Sequence, residues 1–257
     1  VEQLRKRGRV VRALVRPGAD VRWLQSQGVE LIEGDILDRA SLDRACEGAQ
    51  CIYHAAARVG DWGPWGDFVR VTIDGSHNLF DAAEKAGVPR FIHISSISVY
   101  GHINQPGLVL DETAPLGVNV HRWSYYTRAK VVVERELWRR HAAGSKVKYT
   151  VIRPSWLYGP RDRATIARLV AMVRNGKARL LGSGDNRLNV VYAGNVSEAC
   201  ILAADSPAAV GQAFNCSNDG ELSQRQYFNL IAETIGSPPV TRRIPFRTAY
   251  SVAFVLE

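Results

Sequence analysis

The segment "CIYHAAA", residues Cys51–Ala57, is a short run of mostly apolar residues at the start of the part of the chain that decides the fold. A run of this length and composition predicts a strand that is buried on both faces. A helical pattern follows from Asp67 to Ala86 and closes at Gly87, and a second apolar run, "FIHIS", occupies Phe91–Ser95. Strand, helix and strand in this order predict two parallel neighbouring strands joined by a crossover helix.

The same alternation continues on both sides of this unit. Upstream, "RVVRALV" (Arg9–Val15) and "VELIEGD" (Val29–Asp35) are predicted strands, and Asp38 is placed to cap the helix that follows. Downstream, a helix that carries "SYYTRAK" (124–130) precedes the predicted strand "KYTVI" (Lys148–Ile152). Alternating strands and helices predict an α/β fold with a doubly wound, parallel, Rossmann-like sheet.

The pattern loosens in the second half of the chain, where the predicted elements are shorter. A capping box, Ser223 with Gln226, indicates the start of one late helix. We therefore expect a first domain over residues 1–153 and a smaller region over residues 154–257. That second region is expected at the carboxyl edge of the sheet, where open α/β sheets bind their ligands, and it is predicted to bind substrate.

Composition and charge bound the class of protein. The chain has 257 residues, of which 46% are hydrophobic, and this is enough for a sizeable core. The net charge of +8 comes from scattered basic residues, so nucleic-acid binding is not expected. No apolar run approaches the roughly 20 residues of a membrane span. Four cysteines without metal-ligand spacing or a secretory segment indicate a cytoplasmic protein without a metal site.

The segment "SYYTRAK" offers a candidate acid–base pair. Tyr126 and Lys130 are four residues apart on the predicted helix, so their side chains share one face, whereas Tyr125 points elsewhere. In a chain with nine tyrosines and six lysines, a pair at this spacing is expected by chance about 0.2 times. The pair alone therefore only suggests a site.

Further motifs give the pair a context. They are "GDILD" (Gly34–Asp38), "YHAAA" (Tyr53–Ala57), "DGSHNLFDAA" (Asp74–Ala83), "FIHISSISVYG" (Phe91–Gly101), "DETAPL" (Asp111–Leu116) and "VIRPSWLYGP" (Val151–Pro160). With them the chain resembles, over essentially its whole length, the extended short-chain dehydrogenase/reductases of the NAD-dependent epimerase/dehydratase superfamily. The resemblance implies a dinucleotide-binding domain in residues 1–153 and an NAD(P)-dependent oxidoreductase acting on a small-molecule substrate.

The resemblance assigns catalytic roles to Ser96, Tyr126 and Lys130. A phenol titrates near about 10 when unperturbed, and a close ammonium together with the positive nicotinamide ring lowers that pKa. Tyr126 is then able to exchange a proton with a substrate hydroxyl near neutral pH. Ser96 is expected to hold the substrate oxygen while hydride passes to or from the nicotinamide.

Cofactor contacts follow from the same resemblance. The implied residues are Asp35, Ile36, Ala55, Ala56, Ala57, Tyr126, Lys130 and Pro154. The first two match an adenine-binding pair, the alanines match small residues beneath the cofactor, and the proline borders the nicotinamide. Where NAD-preferring members carry an acid, this chain has Arg16. A guanidinium suits a 2′-phosphate, so we expect NADP rather than NAD; the alternative is a solvent-facing arginine.

The reaction is less defined than the family. One interpretation is a dehydrogenase similar to the 3-beta-hydroxysteroid and sterol branch, in which Trp62 and Trp65 form the wall of an apolar pocket. Dehydration of the sugar-nucleotide type is not expected. Ile97 and Ser98 stand where the dehydratases of this superfamily carry an Asp–Glu pair.

Two other interpretations stay open. The first is a nucleotide-sugar epimerase or reductase, in which Arg161, Arg163 or Arg187 meets a diphosphate. The second is a protein that binds NAD(P) and senses redox state without turnover. The intact catalytic set argues against a sensor, which has no need of a proton donor.

A phosphate-binding turn is the motif that this sequence does not supply. Gly60–Gly66, "GDWGPWG", has the spacing of such a turn, but Pro64 has no N–H to donate and two tryptophans crowd the segment. We expect both ends of the chain to be cut, so that the first strand and the Gly-rich loop of the fold are lacking. The chain alone is then expected to bind dinucleotide weakly. A homodimer is an open expectation.

Overall fold

The secondary structure is that of a computed structural model, which describes residues 1–60, 62–103, 105, 107–162, 165–218 and 220–249. The α-helices in these residues are Glu2–Lys6 (α1), Arg22–Ser26 (α2), Arg39–Cys46 (α3), Trp65–Phe68 (α4), Gly75–Lys85 (α5), Tyr125–Ala142 (α6), Ile166–Arg174 (α7), Ala193–Asp205 (α8) and Gln224–Thr234 (α9). The strands are Arg12–Val15 (β1), Glu30–Glu33 (β2), Cys51–His54 (β3), Arg90–Ile94 (β4), Lys148–Pro154 (β5), Trp156–Tyr158 (β6), Leu180–Leu181 (β7), Val190–Tyr192 (β8), Ala213–Cys216 (β9) and Arg243–Ile244 (β10). A π-helical segment covers Val69–Asp74, and 3-10 turns cover Ile97–Tyr100 and Pro207–Ala209.

The chain divides into two compact units. The first comprises Val1–Pro154 and Asn195–Cys216, and the second comprises Ser155–Gly194 with the described part of Ser217–Glu257. Strand β9 and most of helix α8 therefore belong to the first unit, although they follow part of the second unit in the chain.

Parallel strands form the framework of the first unit. Strands β3, β4, β5 and β9 lie side by side in that order, and β1 pairs with β2 in a separate two-stranded sheet. His54 lies opposite His93, and Ile94 lies opposite Ile152. Every strand pair in these two sheets is parallel, which confirms the predicted α/β class.

Several predicted strands are shorter in the structure. Strand β1 begins at Arg12 rather than Arg9, and Val10 is 86% exposed. Strand β3 ends at His54, because its ladder with β4 ends at the pair His54–His93. The three alanines that follow leave the sheet. Where a ladder ends depends on the neighbouring strand, which an apolar run does not encode.

The helix predicted over Asp67–Ala86 is interrupted. It consists of α4, the π-helical segment and α5. Within the π-helical segment the Thr72 hydroxyl accepts the Arg58 backbone N–H at 2.9 Å, and the Ser76 hydroxyl donates to the Thr72 carbonyl. Hydrogen bonds from side chains to the backbone compete with a regular helical ladder, so a uniform pattern of apolar residues overstated the regularity here.

Aromatic packing holds helix α5 against the sheet of the first unit, and an ion pair joins α6 to α5. Phe80 of α5 meets Phe91 of β4 and Tyr149 of β5 edge-on, with ring centroids 5.3 and 5.9 Å apart. Arg140 of α6 pairs with Asp81 of α5 at 2.8 Å. Buried aromatic pairs contribute stability beyond the area they bury, so they hold α5 on the sheet, and the ion pair joins α6 to α5.

The second unit has a small core of its own. Strand β6 pairs with β8, and β7 pairs with β10. Leu180, Tyr227 and Phe228 lie at the centre of its apolar cluster. The predicted capping box is confirmed: the Ser223 hydroxyl accepts the Gln226 N–H at 3.2 Å, and the Gln226 side chain accepts the Ser223 N–H at 2.8 Å.

Candidate active site

Lys130 joins helix α6 to the carboxyl end of strand β4. Its side chain is 3% exposed, and its Nζ donates a hydrogen bond to the Ile94 carbonyl at 2.8 Å. Burial disfavours the ammonium and lowers the pKa of Lys130 to about 8, although the negative charge of Glu134 acts in the opposite direction. A titratable cation is thereby held at the end of the central strands.

The structure separates the two neighbouring tyrosines. The Tyr126 ring is half-buried, and its centroid lies 6.0 Å from Lys130 Nζ. The Tyr125 ring packs against Trp65 and Phe68, with centroids 5.5 and 5.9 Å apart. Tyr125 is therefore part of the hydrophobic packing, while Tyr126 is the tyrosine that adjoins the ammonium.

Ser96 lies at the same end of β4. It caps the 3-10 turn Ile97–Tyr100, because its hydroxyl accepts the Ser98 N–H at 3.1 Å. Only one residue separates Ser96 from Ile94, whose carbonyl holds Lys130. The structure thus brings Ser96, Tyr126 and Lys130 to one sheet end, and their catalytic roles remain a prediction.

Asp35 and Ile36 follow strand β2 in a well-defined turn. The Asp35 carboxylate accepts the Leu37 N–H at 2.9 Å, and the Ser41 hydroxyl donates to the Asp35 carbonyl at 3.1 Å. Ile36 is buried against α5, and a Cβ on Gly75 would lie 2.7 Å from its side chain. A glycine at position 75 is what allows this close approach.

The three alanines after β3 lie where the strand has ended. Ala55 and Ala56 are exposed and Ala57 is half-buried. The hydrogen bond from Arg58 to Thr72 anchors the far end of this segment. Short side chains on an exposed segment leave the backbone open to a flat ligand.

Arg16 and Pro154 lie at two other strand ends. Arg16 directly follows β1, is exposed, and has no side-chain hydrogen bond or ion pair within the described residues. Pro154 is the last residue of β5 and is buried opposite Cys216 of β9. Both residues lie at the carboxyl ends of parallel strands, where such sheets bind ligands.

The residues predicted to contact substrate are divided between the two units. Trp62 is 73% exposed, whereas Trp65 packs against Tyr125, with the Arg128 guanidinium 4.4 Å from its ring centroid. Arg161 lies in the second unit with a φ of 68°, and Arg187 pairs on the surface with Glu221 at 2.8 Å. Arg163 lies outside the described residues.

Sequence reasoning missed a buried polar cluster behind the site. Glu134, one helical turn after Lys130, accepts hydrogen bonds from Ser95 and from Arg153. The signal was present, since Glu134 continues the spacing of Tyr126 and Lys130 on one helix face. An acid at this spacing is more often a solvated surface residue, so only tertiary structure reveals it.

The residues at these strand ends fit a dinucleotide. The ammonium of Lys130 has three donors, of which one is used on the Ile94 carbonyl within the described residues. The exposed residues Ala55 and Ala56 follow strand β3, and the exposed cation of Arg16 follows strand β1.

In the described ranges, no cluster of three or more His, Cys, Asp or Glu side chains is arranged to hold a metal ion. No helix there combines the length and apolar character needed to cross a membrane.

Known proteins with similar sequences and structures support this assignment. The 2-alkyl-3-oxoalkanoate reductase of Stenotrophomonas maltophilia is 30% identical over 240 residues, which cover 91% of this chain and 71% of that protein. The decarboxylating sterol-4-alpha-carboxylate 3-dehydrogenase of Mus musculus is 27% identical over an alignment that covers 100% of this chain and 70% of that protein. The chain spans between 61% and 73% of the length of eight curated relatives that it matches.

The fold and the family agree. The crystal structure of Thermus thermophilus UDP-glucose 4-epimerase in complex with NAD superimposes with a TM-score of 0.79 at 24% identity, covering 95% of this chain and 81% of the epimerase. The profile of one family, described as NAD dependent epimerase/dehydratase, matches residues 1–217. The chain therefore belongs to the NAD dependent epimerase/dehydratase family, whose members are enzymes of the extended short-chain dehydrogenase/reductase type.

Proposed function

We propose that this chain carries the site of an NAD(P)-dependent oxidoreductase that transfers hydride at a secondary alcohol or ketone carbon. One observation carries the proposal: the buried Lys130 ammonium bonds the end of β4 beside Ser96 and adjoins the ring of Tyr126. An acid–base group next to a fixed cation, at the ligand-binding edge of a parallel sheet, suits proton exchange with a substrate oxygen.

Each residue has a distinct part in this proposal. The Tyr126 hydroxyl gives a proton to the substrate oxygen during reduction and removes it during oxidation. The Lys130 ammonium stabilises negative charge on the phenol oxygen, and the Ser96 hydroxyl holds the substrate oxygen in place. The nicotinamide, when bound, supplies or accepts the hydride.

The substrate class that we favour is an apolar molecule in which the reacting carbon is bonded to a carbon that bears a carboxylate. By their names, one relative reduces a 2-alkyl-3-oxoalkanoate and another is a 3-dehydrogenase of a sterol-4-alpha-carboxylate. In both names the reacting carbon is bonded to the carbon that bears the carboxylate, so it is β to the carboxylate, on a hydrocarbon body. The net charge of +8 favours the approach of such an anion.

NADP is the cofactor that we favour. Arg16 is an exposed cation directly after β1, and its side chain is without a partner in the described part of the chain. A planar guanidinium is well suited to a 2′-phosphate, which NAD lacks. The proposed preference is for NADPH over NADH in reduction.

The proposal is tested with a matched pair of tyrosine variants. We expect Tyr126→Phe to lower kcat/KM for a 2-alkyl-3-oxoalkanoate by about 100- to 10,000-fold, because the proton donor is removed. Tyr125→Phe keeps the packing against Trp65 and should stay close to the parent. Oxidation of NADPH and of NADH, followed by absorbance in the presence of the substrate, measures both variants.

Two outcomes would contradict the proposal. A Tyr126→Phe variant with parent-like rates would show that the phenol is not the proton donor. Epimerisation of a sugar nucleotide without net change in cofactor, together with no turnover of the oxoalkanoate, would instead identify a nucleotide-sugar epimerase.

A further inference from the structure

A fully buried ion pair lies behind the candidate active site. Arg153 of β5 donates to Glu134 Oε1 of α6 through Nη2 at 2.5 Å and through Nε at 3.0 Å. The side chains are 3% and 0% exposed. Removing two charges from water is costly, so a buried pair of this kind is weak evidence for stability and calls for another role.

Both oxygens of Glu134 are satisfied by hydrogen bonds. Oε2 accepts the Ser95 hydroxyl at 2.6 Å, and Oε1 also accepts the Trp138 indole N–H at 3.2 Å. Ser95 is the residue before Ser96, and Lys130 lies one helical turn before Glu134. One carboxylate therefore binds the side chain of Ser95, the residue before Ser96, and lies on the same helix face as Lys130.

The pair extends into a longer polar chain through Arg153. Its Nη1 donates to the Tyr100 hydroxyl at 2.7 Å, and that hydroxyl donates to Asn215 Oδ1 at 2.7 Å. The Asn215 backbone N–H donates to the Glu112 carboxylate at 2.7 Å. Tyr100 ends the 3-10 turn that Ser96 caps. The hydrogen-bonded side chains therefore hold this turn at both ends, through Ser95 before it and through Tyr100.

We propose that Glu134, held by Arg153, is a positioning residue for the active site: it orients the Ser95–Ser96 segment and keeps Lys130 charged. The inference rests on the proposed function of Ser96, Tyr126 and Lys130. Within a buried hydrogen-bonded network each partner fixes the geometry of the next, which is how a supporting shell holds catalytic groups.

The charges around Lys130 give the proposal a direction. His54 of β3 and His93 of β4 are buried near Lys130, and both imidazoles stay uncharged near neutral pH because burial and the charge of Lys130 lower their pKa values. Glu134 supplies the negative charge that favours its ammonium, and the Tyr126 ring adjoins it on the same helix. Loss of the Glu134 charge should therefore make Lys130 easier to deprotonate.

The test measures the Lys130 pKa directly, without substrate or cofactor. The chain has six lysines, and the five others are exposed, so Lys130 should titrate apart from them in an NMR titration of ¹³C-lysine-labelled protein, with Lys130→Arg identifying its signal. We expect Glu134→Gln to lower the Lys130 pKa from about 8 by about one unit. Glu136→Gln is the matched control, because Glu136 lies on the same helix but its carboxylate is partly exposed and pairs with Arg139 and Arg140.

A second variant covers a failure of Glu134→Gln to fold. Glu134→Gln with Arg153→Met removes both charges of the buried ion pair, so neither partner is left unpaired, and Lys130 should again titrate below the parent value, by a smaller amount because a repulsive cation is also removed. A Lys130 pKa unchanged in both variants, or lowered equally by Glu136→Gln, overturns the proposal. Because this readout needs no turnover, it is independent of the Tyr126→Phe result, which alone tests the function.

Discussion

Three buried basic side chains gather at the ends of β3 and β4. Burial and the charge of Lys130 lower the pKa of His54 to about 3 and that of His93 well below 6.5, so both imidazoles are uncharged near neutral pH. The pKa of Lys130, about 8, lies near neutrality. At the scale of single residues, Lys130 is therefore the one of these three basic groups that titrates near neutral pH, and it adjoins the ring of Tyr126.

The burial of Lys130 predicts a pH-dependent stability. Folding lowers its pKa from 10.5 to about 8, so between these values the unfolded chain binds more protons and the parent gains stability as pH rises. The gain amounts to about 3 kcal/mol across that window. Lys130→Met lacks this contribution, so its unfolding free energy relative to the parent should fall steadily as pH rises from 8 to 10.

Chemical unfolding of the parent and of Lys130→Met at several pH values measures this difference in free energy. Groups that titrate alike in the two proteins contribute equally, so their contributions cancel. Lys148→Met, at an exposed lysine, is the control and should run parallel to the parent. A constant difference in unfolding free energy between the parent and Lys130→Met over this pH range would show that folding does not lower the pKa of Lys130.

Helix caps are where sequence and structure agree most directly at the scale of elements. The Asp38 carboxylate accepts the Ala40 N–H at 3.1 Å at the start of α3, as predicted. Ser223 and Gln226 form the predicted capping box at the start of α9. Caps depend on residues within one turn of each other, so the local sequence suffices to predict them.

The capping box predicts a defined loss of stability. Ser223→Ala removes the acceptor for the Gln226 N–H and should destabilise the second unit by about 1 kcal/mol. Ser206→Ala is the control, because Ser206 precedes Pro207–Ala209 without a side-chain cap bond. Urea unfolding compares the two variants, and equal small effects would show that the box contributes little.

The whole first unit contains two sheets of unequal size. Strand β4 is paired on both sides, by β3 and β5, whereas β1 pairs with β2 in a sheet of two strands. The Phe91 side chain is fully buried, while Arg12 at the start of β1 is exposed. Local opening requires less energy where fewer ladders and less apolar burial must be broken, so the two sheets should differ in stability.

Hydrogen exchange measures that difference. We expect backbone amides of β4 and β5 to exchange at least about 100-fold more slowly than those of β1 and β2, because only the former lie within a four-stranded sheet. Amides of α6 buried against the sheet, such as that of Val133, provide an internal reference for slow exchange. Uniform protection across both sheets would contradict the expectation and indicate one cooperative unit.

Much of the fold was predictable because its signals are local. Apolar runs and helical spacing indicated β4, β5 and α6, and the i, i+4 relation selected Tyr126 over Tyr125. The end of β3 and the π-helical segment were not predictable, since both depend on hydrogen bonds to distant parts of the chain.

The sequence by itself determined the α/β class, the helix caps and the candidate pair Tyr126 and Lys130, because periodicity, capping and helical spacing act over a few residues. The tertiary structure decided which side chains are buried and what they meet there. It buried Lys130 against Ile94 and joined Glu134 to Arg153 across 19 positions. Burial and long-range pairing set the local dielectric, and the dielectric sets the strength of every charge in the site.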